Sequence, residues 1–246
     1  MTTAGLKFWC LSPPEGNRGL AEWADDMDVE QILCSLDPDH MRGGKRTTDL
    51  RVLLTCKSIT DFVWDWLSEC LIQDGVLRLF QEAGFTGFEV KPVEARIKVR
   101  AKRPDPCDDN AGLKAEDAAA VGIPTLWELV VTGWGGIAPP ESGIRLDESC
   151  PACGLLHYTS FDNPALLIDE KQWDGSDFFI VWPLPGFIFV TDRVARFIRK
   201  HKLTGARLQA SETLRKLVPG GFSPGRLSYC MPEERARQLG EPLGIY

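Results

Sequence analysis

Cys150 and Cys153, followed by Gly154, form the sharpest chemical motif of this sequence. A Cys-x-x-Cys turn holds two thiolates on one side of a tight loop, and a following glycine lets the backbone amides face the sulfur atoms. This is half of a structural zinc site. Three interpretations stay open: a present or ancestral metal site, a purely structural turn, and a redox dithiol. The redox interpretation is the weakest, because the residues after Cys153 are not typical of a long helix.

A tetrahedral zinc ion needs two further ligands, and the sequence offers several. His157 lies four residues after Cys153 and can reach a shared metal only if the turn bends back. Cys34 with His40, or Cys107, could complete the site from a distance. The six cysteines outside the motif are single in the sequence, and we expect them to be small buried apolar side chains: Cys10, Cys34, Cys56, Cys70, Cys107 and Cys230.

Signals for an enzyme are weak. The sequence contains no nucleophile elbow, no phosphate-binding glycine loop and no His-Glu-x-x-His. Asp174 and Asp177, with His157, could form a catalytic carboxylate and histidine site, but a turn capped by aspartate that leads into a buried strand is the favoured interpretation. His201 lies in the basic segment 199–202, at an expected helix C-terminus, where a cation is favourable.

Composition excludes several functional classes. The chain has 246 residues, with 28 Lys and Arg against 35 Asp and Glu, a net charge of −7. This acidic balance argues against a protein that binds nucleic acid by neutralising phosphates. Because no apolar run approaches the roughly 18 residues that span a bilayer, and no signal segment is visible, we expect a cytoplasmic protein with no membrane partner. Its eight cysteines are then expected to be thiols or metal ligands.

Hydrophobic periodicity predicts the elements that position these residues. Strands are expected at 50–54, 62–64, 88–101 and 126–132, and a helix is expected to begin at Asp74, with this aspartate as its N-cap. Residues 20–36 are expected to hold a short helix, and residues 40–48 and 133–143 are expected to be loops. The Pro- and Asp-rich residues 103–110 divide the chain into halves, 1–105 and 106–246, which we expect to pack as one compact unit.

The second half repeats the first. With an ungapped shift of 118 residues, Val63-Trp64 falls on Val181-Trp182 and Asp74 falls on Asp192. The pattern predicts an α+β fold of mixed sheets and packed helices, built on a duplicated strand-strand-helix-strand unit with a pseudo-twofold relation. Trp64 and Trp182 are expected to be equivalent core residues.

The segment from Cys150 to about Leu208 resembles the C-terminal part of the bacterial double-CxxCG motif family. The likeness lies in the residues CPACG, in Asp177-Phe178, in an apolar strand ending at 190–192, in the helix 193–202 and in Leu203-Thr204-Gly205. Members of that family are assigned as immunity proteins that neutralise a cognate toxin. The family's first CxxCG is absent here, and Cys34 stands alone in about the right region.

The resemblance implies a non-enzymatic cytoplasmic protein that occludes a cognate protein toxin. Only Cys150 and Cys153 carry over, as ligands of a zinc ion, and the family supplies no catalytic residues. An acidic patch that includes Glu22, Asp25, Asp26 and Asp28 could meet a basic toxin surface. Two alternatives remain: a zinc-stabilised structural module, and an enzyme with an unrecognised carboxylate and histidine site.

Overall fold

The computed structural model describes residues 6–15, 21–65, 69–100, 113–215 and 221–246. The predicted boundary at 103–110, and Cys107 within it, lie outside these residues.

Sixteen strands and four helices form the described part of the chain. The strands are β1 (Phe8–Ser12), β2 (Ala21–Trp23), β3 (Val29–Ile32), β4 (Arg42–Arg46), β5 (Leu50–Leu54), β6 (Phe62–Trp64), β7 (Cys70–Gln73), β8 (Phe88–Arg100), β9 (Leu113–Asp117), β10 (Leu126–Val131), β11 (Gly133–Ile137), β12 (Leu146–Ser149), β13 (Leu156–Tyr158), β14 (Phe178–Trp182), β15 (Ile188–Thr191) and β16 (Arg207–Ala210). The helices are α1 (Asp74–Glu82), α2 (Asp192–His201), α3 (Leu227–Cys230) and α4 (Glu233–Gly240). None of the helices in these ranges is long and apolar enough to cross a membrane.

Two mixed sheets confirm the predicted α+β class. One sheet has the order β11-β14-β15-β1-β16, and the other has the order β2-β5-β8-β10-β7-β6 with β9 added to β8. Pairing is antiparallel except between β5 and β8 and between β11 and β14. Two small hairpins, β3-β4 and β12-β13, stand apart from these sheets.

The two halves of the chain exchange a strand. β10, from the second half, lies between β7 and β8 of the first half, and β1, from the first half, lies between β15 and β16 of the second. The strand orders β6-β7-β10-β8 and β14-β15-β1-β16 therefore match, with a helix after the second strand of each. Neither sheet follows the division at residue 105.

One core joins both sheets. A continuous cluster of buried apolar side chains includes Phe62 and Leu129 from one sheet, Phe178 from the other, and the inner faces of α1 and α2. Trp64 and Trp182 are each 1 % exposed, which confirms that both are core residues. Their burial removes large apolar areas from water, the main source of stability in a fold of this kind.

The helix starts differ from the prediction. α1 begins at Asp74, but its N-cap is Gln73 and no side chain caps the helix. The Asp74 carboxylate instead accepts a hydrogen bond from Trp127 Nε1 at 3.2 Å, as Asp192 accepts one from Trp9 Nε1 at 3.1 Å. Each aspartate thus ties its helix to the exchanged strand, β10 or β1.

Reciprocal contacts join the halves through their Thr-Gly turns. Phe62 N donates to Thr204 O and Phe178 N donates to Thr86 O, each at 3.0 Å. By these contacts Phe62 corresponds to Phe178, an offset of 116 residues rather than 118, so Trp64 corresponds to Ile180 rather than to Trp182. The matched contacts are consistent with a duplicated unit, and duplication stays a prediction.

Three local predictions are wrong. Residues 20–36 contain β2 and β3 instead of a helix, residues 40–48 contain β4, and residues 133–143 contain β11. In the last two segments glycines were taken as signs of loops, but Gly44 and Gly133 lie in strands, where they permit close packing. A Cβ at Gly44 would lie 2.8 Å from Glu30 Oε2 across the β3-β4 hairpin, and a Cβ at Gly133 would overlap the carbonyl oxygen of Phe178.

A largely buried polar cluster joins the β3-β4 hairpin to the larger sheet. Arg46 Nη2 donates to both carboxylate oxygens of Glu128, at 2.7 and 2.6 Å, and Arg46 Nη1 donates to Glu69 at 3.4 Å. Trp23 Nε1 also donates to Glu69, at 2.9 Å. Burial, and next the neighbouring Asp65, raise the pKa of Glu69 to about 9.

Candidate metal centre

The two small hairpins bring four potential metal ligands together. The ligand atoms of Cys34, His40, Cys150 and Cys153 all lie within 4.8 Å of one another. Cys34 and His40 come from the connection between β3 and β4, and the other two follow β12. The cluster therefore joins segments more than a hundred residues apart.

The β3-β4 connection is shaped to present Cys34 and His40. The Cys34 sulfur accepts hydrogen bonds from the amides of Leu36 and Asp37, each at 3.4 Å. Asp37 then caps a single 3-10 turn, Pro38–His40, by accepting from Asp39 N at 2.9 Å. This turn returns the imidazole toward the sulfur atoms.

The Cys150–Gly154 segment is a closed turn. Gly154 N donates to Cys150 O at 2.8 Å and Cys150 N donates to Leu155 O at 3.0 Å. Gly154 has φ +69°, a left-handed conformation that glycine adopts at little cost. The sequence correctly predicted this role for the glycine.

Two of the distances between ligand atoms are close to those around a tetrahedral zinc ion. Zn–S bonds of about 2.3 Å at tetrahedral angles place two sulfur atoms about 3.8 Å apart. The Cys34 and Cys150 sulfurs are 3.6 Å apart, and Cys153 Sγ lies 3.8 Å from His40 Nδ1. Three thiols and one imidazole are a typical donor set for structural zinc.

Charge and hydrogen bonds prepare two of the thiols as ligands. Arg42 Nη1 donates to Cys153 Sγ at 3.3 Å and Arg42 Nη2 donates to Cys153 O at 2.8 Å. This contact is the main reason why the pKa of Cys153 falls to about 6. Backbone amides, that of Cys153 first, lower the pKa of Cys150, whereas burial raises the pKa of Cys34. Thiolates at Cys150 and Cys153 are the form that binds a metal.

His40 is oriented by a carboxylate on its far side. Its Nε2 lies 3.0 Å from Glu148 Oε1, while Nδ1 faces Cys153. In the thiolate-rich cluster its pKa rises to about 9, chiefly through its hydrogen bond with Cys150. With a metal on Nδ1 the ring would be neutral, and Nε2–H would donate to Glu148, the supporting arrangement common around metal-bound histidines.

The remaining predicted site residues lie elsewhere. His157 is not in the cluster, and its Nδ1 lies 3.1 Å from Ser223 Oγ. Asp174 Oδ2 accepts from Trp134 N and from Arg235, and Asp177 accepts from Thr86 N, Thr191 and Arg193. These bonds support the interpretation of turns that lead into a buried strand. Asp177 is itself buried.

Of the acidic residues predicted to bind a partner, Glu22 lies in β2 and the three aspartates follow this strand. Asp25, Asp26 and Asp28 are exposed and Glu22 is half-buried. Asp26 pairs with Arg51 at 2.9 Å. Their role toward a partner stays a prediction.

Sequence reasoning found the cysteines but not their supports. Of the single cysteines predicted to be buried, Cys10 and Cys70 are buried, Cys56 and Cys230 are only half-buried, and Cys34 is a member of the cluster. Arg42 and Glu148 were missed, although each lies two residues from a ligand. That spacing is the one signal that could have marked them, because residues that support ligands in a hairpin are near them in sequence.

Comparison of the chain with protein-family models and with curated proteins finds no match. The resemblance to the double-CxxCG family stays a prediction that rests on the motif residues alone.

Proposed function

We propose that this protein is a non-catalytic binding protein whose two small hairpins are joined by one structural zinc ion on Cys34, His40, Cys150 and Cys153. The observation that carries the proposal is the convergence of three sulfurs and one imidazole nitrogen within 4.8 Å. Four protein ligands fill a tetrahedral zinc ion, which leaves no position for substrate or water and favours a structural role over a catalytic one.

Metal content tests this proposal directly. The purified protein is expected to contain about one zinc ion per chain, and Cys34→Ser is expected to lower zinc affinity by more than about 100-fold, beyond the effect typical of a supporting residue. Cys56→Ser is the matched control, since Cys56 is a partly exposed single cysteine whose sulfur donates to Ser58 O. Zinc below about 0.2 per chain in protein purified without chelator, or equal zinc loss in both variants, would overturn the proposal.

An immunity role is the biological function that this architecture supports best. This chain lacks the first CxxCG of the family that it resembles. In about the region where that motif would lie, Cys34 and His40 could supply two metal ligands instead. We propose that the protein occludes a cognate protein toxin in the cytoplasm, where thiolate ligands stay reduced. An enzyme site at Asp174, Asp177 and His157 is less favoured, because the two carboxylates already accept several structural hydrogen bonds.

The test of this role uses the gene adjacent to the one that encodes this chain. If its product is a toxin, equimolar wild-type protein is expected to abolish the toxin's activity in a purified mixture. Full toxin activity in the presence of zinc-loaded protein would contradict the immunity role and leave the zinc proposal standing.

A further inference from the structure

Among the described residues, the most exposed large apolar side chains are close in sequence to the metal ligands Cys34 and His40. Leu33, Leu36 and Met41 are 72 %, 70 % and 64 % exposed. Leu33 precedes the ligand Cys34, Leu36 follows it by two residues, and Met41 follows the ligand His40. We call these three residues the apolar rim.

Single exposed apolar residues are ordinary, but the apolar rim is a group. Its members fall within nine residues of a segment whose path is held by the cluster and by the 3-10 turn at Pro38–His40. A fixed backbone presents side chains with little conformational entropy to lose on binding, a property of preorganised interfaces. Exposed apolar groups gathered on a rigid segment mark sites of protein association.

Exposed acidic residues lie on both of the hairpins that carry the metal ligands. Asp28, Glu30 and Asp39 are exposed on the same hairpin, and Asp147 and Glu148 are exposed on β12, the strand that leads to Cys150. The basic residues of the β3-β4 hairpin already have acidic or sulfur partners: Arg42 contacts Cys153, Lys45 pairs with Glu233 and Arg46 pairs with Glu128. Three thiolates, a neutral imidazole and Zn²⁺ would add one more negative charge. The local field therefore favours a positively charged partner.

We infer that the metal-held hairpin is a docking surface for a basic, amphipathic protein segment, with Leu33, Leu36 and Met41 as its apolar contacts. The inference rests on the proposed function and specifies its partner class. Apolar side chains of the partner would pack on the apolar rim, and its lysines or arginines would meet the carboxylates of the two hairpins. A second copy of this chain or an anionic membrane is disfavoured, because either would bring like charge to this surface.

The test measures binding of a labelled 18-residue amphipathic leucine-lysine peptide by fluorescence anisotropy in 0.15 M salt. The zinc-loaded protein is expected to bind it at least ten times more tightly than the variant L33A/L36A/M41A. The matched control is L6A/L166A/L243A, which removes three exposed leucines that lie away from the centre in sequence. This control is expected to bind within twofold of wild type. A peptide of the same composition with leucines scattered over all faces is expected to bind wild type and the rim variant equally.

Three outcomes would overturn the inference: equal affinity of the two triple variants, equal binding of a leucine-glutamate peptide, or a dimer of the wild-type protein that the rim variant lacks. Zinc content and the circular dichroism spectrum are recorded on the same samples. One zinc per chain with no difference between the variants refutes the docking surface alone. Absence of zinc refutes the proposed function and this inference with it.

Discussion

Replacing Glu69 by glutamine should change the way in which stability depends on pH. Glu69 keeps its proton in the folded protein because burial and the neighbouring Asp65 raise its pKa to about 9. In the unfolded chain it ionises near pH 4.5, the value for a free side chain. Between these two values the unfolded state has lost a proton that the folded state retains, so the wild-type free energy of unfolding falls as pH rises.

The magnitude follows from the proton difference. One proton corresponds to a slope of at most about 1.4 kcal/mol per pH unit. Because the charge of the nearby Arg46 opposes the effect of burial on Glu69, we expect a smaller total, on the order of 2 kcal/mol between pH 5 and pH 8. Glutamine has no proton to lose in this range, so the Glu69→Gln profile should be flatter by that amount.

Urea unfolding at fixed zinc concentration, from pH 5 to pH 9, measures both profiles. Glutamine offers one acceptor where the carboxyl accepts from both Trp23 and Arg46, so a constant loss of about 1 kcal/mol is expected at every pH. The slope, and not the level, therefore tests the reasoning. Glu82→Gln, on the exposed face of α1, should leave the slope unchanged. Parallel profiles for wild type and Glu69→Gln would show that Glu69 is ionised in the folded protein and would refute this argument.

Two further predictions concern the metal centre and the joined halves. Arg42→Met should lower zinc affinity about tenfold. In the metal-free protein, alkylation of Cys153 should be half-maximal near pH 6, and Arg42→Met should shift this midpoint to higher pH. An unchanged midpoint would show that Arg42 does not lower the pKa of the Cys153 thiol. Gly87→Ala should lower the stability of the folded protein by more than about 2 kcal/mol in thermal unfolding, because its φ is +84° and the added Cβ would overlap Phe178 O. Gly84→Ala should cost only about 1 kcal/mol, because this residue has φ +63° but open space around it. Equal losses would contradict the close approach.

Local patterns predicted the elements whose partners are near in sequence. β5, β6 and β8 show the apolar alternation or runs that identify strands, and α1 shows the spacing of an amphipathic helix. β3 and β4 have no buried face, and β4 contains two glycines, so periodicity contained no signal for them. β3 and β4 pair with each other in the hairpin whose connection carries Cys34 and His40. A short window of sequence does not reveal this pairing.

Long-range placement was harder to predict than element type. The exchange of β1 and β10 leaves a trace in the sequence, since Phe8-Trp9 falls on Leu126-Trp127 at the same shift of 118 residues. This match shows that β1 and β10 are similar in sequence, but it does not predict which sheet each strand joins. Either strand has a hydrophobic pattern that suits both sheets. The metal centre shows the same limit, because the sequence offered Cys34 with His40 as one of several ways to complete the site and could not choose among them. The spacing of Cys150 and Cys153 is local, whereas Cys34 and His40 are brought to them by tertiary structure.

The exchanged strands also set an order of events during synthesis. β1 leaves the ribosome first, yet its neighbours in the sheet are β15 and β16, which end at Thr191 and Ala210. β10, by contrast, emerges after both of its neighbours, β7 and β8, have been made. The larger sheet can therefore assemble while the chain is still growing, whereas β1 meets its neighbours in the sheet only after β15, and then β16, has been made. We expect a chaperone to assist folding most during this interval, before β1 has joined its sheet.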